Sequence, residues 1–135
     1  MTFRLLTAAG VLVSGAVHLW LWFDGFRAID VIGPAFMLNA VAAVVITALV
    51  LLWGHWVPLL VATGFGASTL AAFVISATVG LFGVHEQWTG GAVLTAAFSE
   101  LLAVGASIAA LVHEYGAPNR QLMRHPLTTV HASRS

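Results

Sequence analysis

PAFMLNAVAAVVITALVLLW, residues 34–53, decides the fold. The run carries no charged side chain, and its polar groups, apart from the tryptophan, are Asn39 and Thr47. A helix needs about 20 consecutive apolar residues to cross the hydrocarbon of a bilayer, and this run has that length. A buried strand ends after about 4–8 residues, and the alternation of a membrane β-barrel strand is absent. Pro34 opens the run, where the first helical turn has an unpaired N–H in any case, so its missing donor costs nothing. The stretch therefore predicts a membrane helix.

Three more segments of the same kind flank it: Phe3–Phe23, Val57–Gly83 and Ala92–Val112. Pro58 stands in the first turn of the third, and Gly116 and Pro118 follow the fourth as a helix stop. Asp30 and Glu86 precede the second and fourth spans, near positive helix ends. Short connections make neighbouring helices antiparallel. The expected fold is all-α, a four-helix transmembrane bundle in up-down-up-down order, over residues 1–115, with 116–135 as a polar cytoplasmic tail.

Composition points the same way. Of 135 residues 60% are hydrophobic and 7% charged, and the mean hydropathy is +0.98. A soluble domain carries about a quarter of its residues charged, to keep a wet surface. Cysteine is absent, which excludes disulfides, thiolate metal sites and thiol redox chemistry. Zero formal net charge without a basic cluster argues against nucleic acid as a partner.

Charge predicts the direction. With both termini cytoplasmic, Arg4, Arg120, Arg124 and Arg134 lie inside and Arg27 outside, as the positive-inside rule requires. Trp20, Trp22 and Trp88 then fall near the outer face, and Trp53 and Trp56 near the inner, as an aromatic belt. The expected location is the cytoplasmic membrane, multi-pass. The opening MTFRLLTAAGVLVSGA resembles a signal peptide, but the apolar run continues through Phe23, so the segment reads as a retained span.

Small and polar residues mark the contact faces, because helices in lipid associate through close backbone approach and side-chain hydrogen bonds. Gly64, Ser68, Ala72, Ser76 and Gly80 are four apart on the third span. They predict close packing within the bundle, or self-association or docking to a larger membrane complex. Gly10, Ser14 and His18 share such a stripe on the first span, Asn39, Ala43 and Thr47 on the second, and Ala96, Glu100, Ala103 and Ser107 on the fourth. His18, Asn39 and Glu100 are thereby expected to point into the bundle.

Each of the three has a structural and a chemical reading. An ionised carboxylate near the bilayer centre costs several kcal/mol, so Glu100 is a candidate for ligand binding or proton transfer; as a protonated acid it would be interhelical glue. His18 reads as an interhelical hydrogen bond, or as a titrating group or metal or haem ligand. Asp24, Asp30, His85 and Glu86 emerge on the same side as His18. The set His18, Asp24, His85 and Glu86 would suit zinc or copper(II), and His18 with His85 could hold a haem between helices. The spacing matches no metal-binding signature such as HExxH, and no phosphate loop, nucleophile triad or dinucleotide turn is present. Asp24 and Arg27 read as an exposed pair of little energetic weight.

VHLWLWFDGFRAIDVIGPAFMLNA (residues 17–40) and LFGVHEQWTGG (residues 81–91) together resemble small four-span membrane proteins of high-GC bacteria. Its distinguishing residues are His18, Asp24, Gly33, Pro34, Asn39, His85 and Glu86. The resemblance implies the four-span fold and brings no activity with it. The functional expectation is an integral membrane protein, non-enzymatic by itself, acting as an accessory or small-ligand-binding bundle with a polar cluster in its outer half. The rivals are a haem- or metal-binding redox protein and a small proton-coupled transporter using Glu100.

Overall fold

A computed structural model describes residues 1–85 and 90–116. Four helices account for nearly all of it: α1 (Thr2–Phe23), α2 (Ile32–Leu52), α3 (Trp56–Thr78) and α4 (Gly91–Tyr115). Each is long and apolar enough to cross a membrane. Large apolar side chains, among them Leu38, Val44, Leu52, Phe98 and Val112, stand outward on the bundle. In water such a surface would aggregate; hydrocarbon accepts it, because every helix satisfies its own backbone. The chain is a multi-pass membrane protein built as an all-α, up-down-up-down bundle.

The helices do not form a symmetric square. α1 packs along both α2 and α4, α3 packs along α4, and α2 and α3 scarcely touch. Gly10 brings the α1 and α4 backbones together. A Cβ at that position would lie 2.7 Å from the Ser99 carbonyl oxygen and 2.7 Å from the Ala103 nitrogen. Only a residue without a side chain lets the two backbones meet there. The terminal half of the bundle, where α1 begins and α4 ends, is filled by Val11, Ala43, Ile46, Val50, Leu59, Ala62, Ala103 and Ala110.

The terminal end is closed by an ion pair between the first and last helices. Arg4, buried despite its charge, donates through Nε and Nη2 to the Glu114 carboxylate at 2.8–3.0 Å. Its Nη1 donates to Val50 O at 3.0 Å and its Nη2 to His55 O at 3.1 Å, where α2 ends and α3 begins. Tyr115 Oη in turn donates to Gly54 O at 3.0 Å. A guanidinium fork suits this position because it can serve a carboxylate and free helix-end carbonyls together. These contacts carry α4 to Tyr115, beyond the expected Val112, and Gly116 caps it.

Two further departures from the sequence reading lie at the opposite, distal end. α3 stops at Thr78 rather than Gly83. Gly80 turns the chain with φ +85, which glycine adopts without strain, and its N–H reaches back to Ile75 O at 3.0 Å. Leu81 and Val84 then exchange backbone hydrogen bonds of 2.8 and 2.9 Å, and Ser76 Oγ donates to Val84 O at 2.9 Å, tying the turn to α3. Asp24 and Arg27 do not pair: Arg27 lies over the Trp22 ring at 5.9 Å, and Arg4–Glu114 is the ion pair found among the described residues. The α1–α2 connection folds through a tight helical turn at Phe26–Ala28, and Phe26 stacks on Phe36 of α2 at 5.2 Å.

Glu86, Trp88, Arg120, Arg124, Arg134 and the residue range 117–135 assigned to the tail lie outside the described residues.

Candidate functional site

Ser14 organises the distal half. It sits one turn before His18 on the inward face of α1, and both are buried. The Ser14 carbonyl accepts from His18 Nδ1 at 2.8 Å. A carbonyl cannot donate, so the contact places the ring hydrogen on Nδ1 and leaves Nε2 of the neutral ring as an acceptor. The Ser14 hydroxyl donates across the α1–α4 seam to Glu100 Oε1 at 3.2 Å. Glu100 is 1% exposed, and its second oxygen, Oε2, is buried without a partner. No hydrogen bond joins His18 to Glu100; they meet through Ser14 alone.

Both side chains line a partly open cavity of about 80 Å³ bounded by residues of all four helices and the α3–α4 turn. Its apolar wall includes Leu21, Ile32, Phe36, Phe73, Val84 and Val93, and its other polar side chains are Thr69 and Ser76 of α3. Phe36 meets the His18 ring edge to face at 4.9 Å and holds it in place. The cavity lies where α2 and α3 stand apart, beside the Asn39–Thr69 hydrogen bond that links them. It is blocked toward the terminal end by the close-packed core around Val11, Leu59 and Ala103.

The sequence candidates distribute as follows. His18 and Glu100 share the cavity. Asn39 does not line it: its Nδ2 donates to Thr69 Oγ1 at 3.3 Å across the α2–α3 gap, while its Oδ1 is buried without a partner. Asp24 is exposed at the end of α1, and His85 is exposed beside Gly80 in the α3–α4 turn. Among the described residues no three His, Asp or Glu side chains gather as a metal site would require. Glu86, the remaining member of that set, lies outside the described residues. On α3 the small-residue stripe divides: Gly64 and Ser68 face outward, Ala72 and Ser76 face the cavity, and Leu59, Ala62 and Gly66 make the buried contact instead.

Sequence reasoning named Ser14 only as a stripe residue. Its spacing of four from His18 was the available signal, since a serine one turn before an inward histidine shares its face. Ser76 carries the same signal on the α3 stripe, four from Ala72, whereas Phe36, Phe73 and Thr69 carry none, because aromatic and hydroxyl residues are common on any membrane helix.

No family model, curated protein or solved structure matches this chain.

Proposed function

We propose that the protein is a small-ligand-binding membrane bundle whose site is the distal cavity between His18 and Glu100. One observation carries this reading: Glu100 Oε2 is buried, unpartnered and placed in the wall of a cavity. A buried polar atom left without a hydrogen bond is costly, and native structures rarely tolerate one without a further partner. The close-packed apolar core on the terminal side favours a site loaded from one side over a continuous pore. A transporter would have to open that core during its cycle.

In this reading the distal end is the outer one, both termini are cytoplasmic, and the membrane is the cytoplasmic membrane of a bacterium. The arginine distribution supports that orientation. The outward Gly64 and Ser68 leave one face of α3 available to a second copy or a larger complex.

Native mass spectrometry of the full chain, purified from membranes in mild detergent, tests the binding reading. The wild type should retain or take up a small molecule, and Ala96→Phe, which fills the cavity, should not. A wild type that carries nothing and takes up none of a panel of small alcohols, amines and carboxylic acids defeats it.

A further inference from the structure

We propose, resting on the binding reading above, that the distal cavity receives the ammonium end of a small primary amine, with the alkyl part against Phe36, Phe73 and Leu21. The argument is a census of hydrogens. Ser76 Oγ spends its hydrogen on Val84 O at 2.9 Å, and Thr69 Oγ1 spends its own on Phe65 O at 2.7 Å. His18 Nδ1 is committed to Ser14 O. What remains toward the cavity is the lone pairs of those hydroxyls, His18 Nε2 and the free Glu100 oxygen. With Glu100 as carboxylate, the polar side chains among the described residues of the wall accept and do not donate.

A hydroxyl, a carboxylic acid or a carboxylate brings acceptor atoms of its own, and these would find no donor. A primary ammonium has three donors and no acceptor. Charge points to the same group. Among the described residues no lysine or arginine lines the cavity; Arg4 is held by Glu114 at the far end, and Arg27 lies over Trp22. A buried carboxylate needs a counter-charge, and a ligand cation supplies it. The aromatic walls add a favourable surface for that cation. Size agrees: about 80 Å³ takes a head group and a short chain.

Isothermal titration in phosphatidylcholine nanodiscs, with empty discs subtracted, compares four probes on the full chain: butylammonium, butanol, butyrate and tetramethylammonium. The expectation is saturable binding of butylammonium, at least tenfold weaker binding of the other three, and a tenfold or greater loss in Glu100→Gln. Butanol or butyrate binding as well as butylammonium overturns the amine assignment and leaves the cavity reading standing. Tetramethylammonium binding equally well overturns the donor census. Silence from all four overturns both. The wild-type comparison decides even where Glu100→Gln fails to fold, and Ser14→Ala provides a second variant, which should bind butylammonium with altered affinity.

Discussion

Replacing Arg4 by methionine tests the terminal clasp most directly. The substitution keeps a long apolar stem and removes the guanidinium. It leaves the Glu114 carboxylate, whose side chain is 25% exposed, without its cation, and frees Val50 O and His55 O. Breaking a fully buried charge pair from one side costs about 3–5 kcal/mol. Glu114 keeps some access to water, so the lower end applies, about 3 kcal/mol. That corresponds to roughly a hundredfold in the folded-to-unfolded ratio. The double variant Arg4→Met with Glu114→Met removes the stranded charge as well, and apolar replacement of a buried pair is often close to neutral. It should recover to within about 1 kcal/mol of wild type, the residue being the helix-end carbonyls. Reversible unfolding in dodecyl maltoside with increasing dodecyl sulfate, followed by circular dichroism, measures all three together with Glu114→Met. If Arg4→Met is as stable as wild type, or the double variant is no better than the single, the clasp does not hold the bundle. The test bears on the cavity too, since the α1–α4 register that brings Ser14 to Glu100 is anchored at that end.

Three other substitutions follow from the packing. Gly10→Leu forces the α1 and α4 backbones apart and should cost about 1–3 kcal/mol in the same assay, with weaker Ser14–Glu100 contact as a consequence; unchanged stability would mean the seam is not as close as 2.7 Å implies. Gly80→Ala places a side chain at φ +85 and should cost about 1 kcal/mol, visible as a lowered Tm. Asn39→Leu removes one long hydrogen bond together with an unpartnered buried oxygen, so stability should stay within about 1 kcal/mol of wild type; a large loss would show that Asn39 has a partner of consequence.

The bundle was legible before any coordinates because its signal is local. Residues 34–53 cannot be anything but a lipid-crossing helix once their transfer free energy is summed. The contact stripes were legible on three spans, where Ser14, His18, Ala43, Thr47, Glu100 and Ser107 are buried. On α3 the stripe divides, because small residues permit close approach but do not compel it: Ala72 and Ser76 turn to the cavity, Gly64 and Ser68 stand outward, and Leu59, Ala62 and Gly66 make the buried contact. The end of α3 was placed too late because Gly80 lies within an apolar run, and hydropathy does not register a change of φ.

Arg4 shows the limit most clearly. As a residue in sequence it is a cytoplasmic charge near the N-terminus, and Glu114 is a charge near an interface. That they meet, 110 positions apart, follows only from an even number of antiparallel crossings and from the depth at which each helix ends. The cavity is of the same kind. The sequence by itself determined the solvent, the number of crossings and which side chains are too polar to face lipid, because those are sums over neighbouring residues. Only the tertiary structure decided which lone pairs stay open toward the cavity, because the bonds that join separate elements, Ser14 to Glu100, Asn39 to Thr69 and Ser76 to Val84, depend on where the partner element lies. The space beside Glu100 likewise belongs to no residue: it is what α2 and α3 leave unfilled when both are held by α1 and α4 instead of by each other.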